Sequence, residues 1–202
     1  MQKSLITAAL VAAFVSSACL AGAQTDAIDL NYTDNVYTNY NEWTLGWDFT
    51  TGNQALNVTA LGTFDNGSVA TIGSPTVGIW TAGGTLLGTA NLSGTLTQSN
   101  YFAFTSNLSN AISLAANTEY LIGSTGIAPY EFSFGNNTTT NLGITFNGDR
   151  WIGGAGLTFP TLTDETDGFY GANFQATATP EPASFLALGL PALGLLVKRR
   201  KK

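Results

Sequence analysis

Between Gln24 and Thr179, apolar and polar residues alternate in short runs punctuated by Gly, Asn, Asp and Thr. No stretch sets apolar residues at helical spacing beside charged partners. Leu56, Val58, Ala60, Gly62 and Phe64 fall on one face of a predicted strand, with Asn57, Thr59 and Thr63 on the other. Asp65-Asn66-Gly67 closes it as a turn. A hairpin is predicted from Thr76–Thr81 through Ala82-Gly83-Gly84 to Thr85–Leu92, where glycine supplies the positive φ. Further strands are predicted at Trp43–Phe49, Tyr101–Ser106, Glu119–Ser124, Glu131–Phe134, Leu142–Phe146 and Phe169–Gln175, with Asn147-Gly148 turning into Arg150-Trp151. Eight to ten short strands imply an all-β fold: a single antiparallel β-sandwich, jelly-roll-like. Gln24–Thr33 fits either a first strand or a loose arm.

The two ends break this pattern. Lys3, the apolar run Leu5–Val15 and the small residues Ala21-Gly22-Ala23 predict a signal peptide over residues 1–23, cleaved after Ala23 with Ala21 and Ala23 as its recognition residues. A lipidated Cys19 would want an apolar residue three positions earlier, where Ser16 stands. At the other end, Ala176–Thr179 reads as a polar stalk and Pro180-Glu181-Pro182 as an extended motif, since two prolines deny helix continuation. Residues 183–197 carry no charge and predict one transmembrane helix, about 22 Å long and so shorter than the hydrocarbon core of ~30 Å. Lys198, Arg199, Arg200, Lys201 and Lys202 form a stop-transfer cluster, cytoplasmic by the positive-inside rule. The domain expected outside is residues 24–175, with stalk and motif at 176–182.

Motif, apolar span and basic stop, in this order, resemble the PEP-CTERM sorting signal of Gram-negative bacteria. The resemblance implies an exosortase-type membrane enzyme that recognises Pro180, Glu181 and Pro182, removes the helix and passes the protein outward, usually where exopolysaccharide is made. The hairpin Ile79-Trp80 to Ala90, the stretch Ala115–Tyr120 and Gly168–Phe174 look similar to β-sandwich ectodomains that precede such tails, most of which have no assigned activity. The implied localisation is the cell envelope: anchored in the inner membrane as a precursor, then at the surface or in the extracellular matrix.

Charge changes the picture further. The chain has a net charge of −6 and only 10% charged residues, with 23 Gly. Twelve acids from Asp26 to Asp167 face Arg150 alone, which leaves −11 on the middle of the chain. Nucleic acid is not an expected partner, because phosphate neutralisation needs clustered Lys and Arg. Cys19 is the single cysteine and lies in the leader, so the exported domain is expected to have no disulfide and no thiol chemistry.

Candidate chemistry is sparse. With no His, and no Lys between Lys3 and Lys198, a Ser nucleophile lacks its usual base, and no catalytic residues are assigned. Two carboxylates suffice for a glycosidase, but no spacing selects a pair. No cofactor and no metal site are assigned. Asp164, Glu165 and Asp167 are the weak candidates for Ca²⁺, offering hard oxygen ligands from one loop whose plainer reading is a solvated acidic turn. Asp26, Asp29 and Asp34 are weaker still. Tyr32, Tyr37, Tyr40, Trp43 and Trp47 crowd one segment and could stack on sugars, but alternation favours core for most of them, as for Trp80 and Trp151. The function expected is a non-enzymatic surface or matrix protein associated with exopolysaccharide. The alternatives are a carbohydrate-binding adhesion module and a carboxylate-dependent glycosidase.

Overall fold

Thr, Val, Ile and aromatic residues suit a pleated, half-buried surface, and runs rich in them form the strands of this chain. The computed structural model describes residues 23–32, 36–39, 42–65, 74–126, 130–135, 138–163 and 167–179. The described residues contain no helix. In chain order the strands are β1 (Thr25–Asp26), β2 (Ile28–Leu30), β3 (Val36–Asn39), β4 (Thr44–Thr50), β5 (Leu56–Phe64), β6 (Thr76–Thr81), β7 (Leu86–Asn91) and β8 (Thr97–Ser99). There follow β9 (Phe102–Phe104), β10 (Ile112–Leu114), β11 (Glu119–Thr125), β12 (Tyr130–Gly135), β13 (Thr138–Thr140), β14 (Thr145–Ile152), β15 (Gly168–Tyr170) and β16 (Ala172–Ala178). The signal segment through Gly22, Tyr40, Asp34, Asp164, Glu165, the Pro180–Pro182 motif and everything after it lie outside the described residues.

All pairings are antiparallel. One large sheet has the order β1-β16-β5-β9-β8, with β10 sharing the β5 edge with β9, and the other has the order β14-β4-β11-β6-β7. A three-stranded sheet β15-β12-β3 and a two-stranded sheet β13-β2 complete the fold. Trp47 and Phe49 of β4 meet Phe174 of β16 with ring centroids 6.2 and 5.1 Å apart, and Trp47 Nε1 donates to the Ala172 carbonyl at 2.9 Å. The two large sheets thus share one apolar core, an arrangement consistent with a β-sandwich.

The phase of β5 departs from the simple alternation. Its partner register skips Thr59, because Gln175 faces Ala60 while Ala176 faces Val58. This bulge puts Leu56, Val58, Leu61 and Thr63 on the face of Phe174 and Ala176, and moves Ala60, Gly62 and Phe64 to the opposite face beside Phe102 and Phe104. That second face is covered too: Asn173, opposite Gly62, receives the Ile28 N–H at 3.3 Å and donates to the Ile28 carbonyl at 2.9 Å, holding β2 over it.

Other boundaries also shift. Asn147-Gly148 makes a bulge within β14, where Phe146 faces Phe49 and Gly148 faces Asp48, rather than a turn between strands. The turn falls earlier, at Asn141–Gly143, where Leu142 has φ 55 and the Ile144 N–H donates to the Asn141 carbonyl. The run Phe169–Gln175 divides at Gly171 into β15 and β16, which belong to different sheets. The hairpin stands as expected, with Gly84 at φ 87.

Within Gln24–Thr33 the described residues, 24–32, resolve in favour of structure, since β1 pairs β16 with Thr25 opposite Ala176. Ala176–Ala178, read as stalk, are strand: they face Val58, Asn57 and Leu56, and the Thr179 N–H donates to the Ala55 carbonyl at 2.8 Å. Ala176 is fully buried, so the domain claims these residues by packing as well as by pairing. The chain therefore enters on β1 and leaves on its neighbour β16, side by side at one end of the sheet.

Candidate functional site

Alternation within β4 sends Leu45, Trp47 and Phe49 inward and leaves Thr44, Gly46 and Asp48 on the outer face. Arg150 of β14 stands opposite Gly46 and so shares that face, where its Nη2 donates to Asp48 Oδ2 at 2.7 Å. Glu119 of β11 is on the same face, 4.0 Å from the same nitrogen. Residues 153–163 fold back across these strands. Trp151 and Leu162 form a bridge, Thr44 Oγ1 receives the Thr158 N–H at 3.0 Å, and Phe159 meets Trp80 edge-on at 6.2 Å. The result is a cleft of about 220 Å³, with Leu121, Phe159 and Pro160 as walls and Glu119 and Arg150 as its charged members.

The electrostatics are set by burial. The Asp48 side chain is 4% exposed, and desolvation pushes its carboxyl above the ordinary value of 3.8. The hydrogen bond and the charge of Arg150 oppose this, and Glu119 adds to it. Asp48 Oδ1 and Arg150 Nε make no hydrogen bond among the described residues. The arrangement holds one guanidinium, 26% exposed, at the edge of the cleft and presents Glu119 to solvent. Asp48 is covered, so the two carboxylates beside Arg150 do not both face the cleft. A neighbouring buried acid, Asp149, receives the Thr163 hydroxyl at 2.7 Å.

A second feature is the aromatic row on the three-stranded sheet. Tyr37 faces Phe132 and Phe134 faces Phe169 across the ladder, and the ring centroids run 5.9, 5.8 and 5.1 Å from Tyr37 to Phe132, Phe169 and Phe134. Tyr37, at 51% exposure, is the ring most open to solvent in this row. Trp43, 39% exposed, stacks on Trp151 at 5.4 Å, whereas Trp47 is completely buried and Trp80 nearly so. The expectation of core for most of this segment is therefore corrected: of its described rings only Trp47 is buried, while Tyr32, Tyr37 and Trp43 are exposed, the last two covering Phe132 and Trp151 from outside.

Of Asp164, Glu165 and Asp167, considered together for Ca²⁺, only Asp167 is described, at the entry to β15. Asp26 receives Gln175 Nε2 at 2.7 Å and Asp29 receives Asn141 Nδ2 at 2.8 Å, so these two secure the N-terminal strands. Among the described residues no three acidic, His or Cys side chains converge in a metal-holding group. Ala23 is exposed at the start of the described domain; Ala21 and Lys198–Lys202 lie outside it. The Asp48–Arg150 pair had no signal in the sequence, because the partners are 102 positions apart.

Fold and composition together define an all-β antiparallel domain that is acidic and sparsely charged. Comparison with protein-family models, with curated proteins and with solved structures gave no match.

Proposed function

We propose that the chain is an exported, non-enzymatic surface or matrix protein of an exopolysaccharide-producing envelope. Residues 183–197 hold the precursor in the membrane, and an exosortase-type enzyme sorts it at Pro180-Glu181-Pro182. The observation that carries this proposal is where the folded domain lies in the chain. Among the described residues the first strand starts at Thr25, just after Ala23, and the last pairing is made by Thr179, one residue before Pro180. The described strands thus occupy the interval between the two segments read as addresses. The jelly-roll description draws support from strand order: β1-β16-β5-β9 in one sheet and β4-β11-β6-β7 in the other follow the eight-strand pattern, with β14 added beside β4.

Mass spectrometry of the protein released at the cell surface is expected to give a C-terminus close to Pro180 and no peptide from Phe185 onward. Recovery of Lys202 outside the cell would overturn the proposal. The row Tyr37, Phe132, Phe169 and Phe134 favours a second reading, a carbohydrate-binding adhesion module, since sugar rings dock their apolar faces on aromatic side chains.

A further inference from the structure

From Asn66 to Thr118 the chain contains no Asp, Glu, Lys or Arg. Strands β6 to β10 all fall within this stretch, and the sheet orders gather them on one side: β6-β7 end one large sheet, and β9-β8 with β10 end the other. The two ends touch, because Gly88 of β7 lies against Ile112 of β10 so closely that a Cβ there would stand 2.6 Å from the isoleucine methyl. Between them runs a cleft of about 370 Å³, lined by β7 and by residues 108–113. These five strands therefore carry no charged side chain, and Asp65, which lies beside Gln98 and Tyr101 at their margin, is buried.

That side also ends in an unguarded strand. β7 pairs only with β6 among the described residues, so within them its other edge has no ladder partner. Edge strands are normally blunted by Lys, Pro, inward charge or a bulge. β7 has no charge and no Pro, and its bulge at Leu87 interrupts only its first residues and leaves Gly88–Asn91 regular. Leu86 and Leu87 are 49% and 36% exposed at this edge. The acids that reach solvent among the described residues, Glu119 and the part-exposed Asp29, Glu42 and Asp167, all lie outside strands β6 to β10, so no like charge opposes contact here.

We propose that this side is a self-association surface, at which β7 of one copy pairs antiparallel with β7 of a second copy about a twofold axis, joining two sheets edge to edge. An isologous contact of this kind uses the same residues twice, so one uncharged strand serves as both halves. A single short edge with two leucines covers less than the ~1,200 Å² of a standard interface. The contact is therefore weak and concentration-dependent, and becomes effective where many copies stand close together.

The test uses the full chain in detergent micelles, with Cys19→Ser to remove the native thiol. Thr89→Cys, exposed on β7, is expected to give a disulfide-linked dimer on mild oxidation, in a yield that rises with protein concentration. Thr139→Cys, exposed on β13, is expected to give at least tenfold less. Adding Leu87→Lys to Thr89→Cys should cut the dimer to the Thr139→Cys level with an unchanged urea midpoint; Leu86→Lys repeats the test should Leu87→Lys perturb folding. Equal yields at the two cysteines, no dimer at all, or a dimer insensitive to both lysines would overturn the proposal, the last pointing to contact through the apolar tail.

Discussion

Arg150 is the sole cation of the described residues, and its position decides what it can do. It neutralises Asp48, a carboxylate whose burial costs more than its hydrogen bond returns, which is why the net shift is upward. A raised acid pKa means that the folded state binds its proton more readily than the unfolded chain does. This contribution to stability is therefore fullest below the ordinary value of 3.8 and declines as pH climbs through the raised native value. Arg150→Met removes both opposing influences and leaves the buried carboxylate alone, at a cost of about 3 kcal/mol near neutral pH. Urea unfolding across a pH series should show this loss shrinking on acidification. The double variant Asp48→Leu/Arg150→Met should recover most of it, and a single variant as stable as the parent at neutral pH would refute the account.

At the level of elements, the hairpin and the central runs of β4, β5 and β11 were legible because alternation and turn chemistry agree there. Short strands such as β8, β10 and β13 were not, since three residues carry too little pattern and gain their pairing from neighbours far along the chain. The phase of β5 differs from the simple alternation for a definite reason: a bulge at Thr59 leaves no mark in a run where apolar residues also stand side by side, as at Ala60-Leu61. The same holds for Asn147-Gly148, where residues that favour a turn serve a bulge instead. The aromatic row of β3, β12 and β15 was half visible, with Tyr37 recognised as a possible stacking residue and its partners Phe132 and Phe169 hidden by distance. For the adhesion reading, a glycan array probed with the protein should register binding that falls about tenfold on Tyr37→Ala, the size of ~1.4 kcal/mol. Tyr37 is half-exposed, so folding should be unaffected; no binding to any acidic or neutral glycan, or binding untouched by the substitution, would exclude a role for this row.

For the molecule as a whole, the extent of the domain is set by β16 rather than by composition. A small polar run after the last aromatic residue reads as linker, but Ala176 is sealed in the core and Thr177 and Ala178 complete the ladder. A chain ending at Thr179 should unfold at the same urea concentration as one that retains the motif. One ending at Gln175 should lose a few kcal/mol, at about 1 kcal/mol for each ladder hydrogen bond removed plus the burial of Ala176. Equal stability of the two truncations would place the boundary back at Gln175.

The neighbouring positions of β1, β16 and β5 set an order of events for a chain that emerges N-terminus first, from a ribosome or across a membrane. β16 lies between β1 and β5, so the edge strand β1 stays separated from the rest of the sheet until almost the last described residue has emerged. Phe174 completes the core from the same strand, and without it Trp47 and Phe49 face no ring from the opposite sheet. The domain therefore cannot close early, whatever the stability of its first hairpins, and its folding is timed by the arrival of its final strand. In a protein exported as proposed here, that moment comes as the apolar span enters the bilayer, so folding and anchoring become one step.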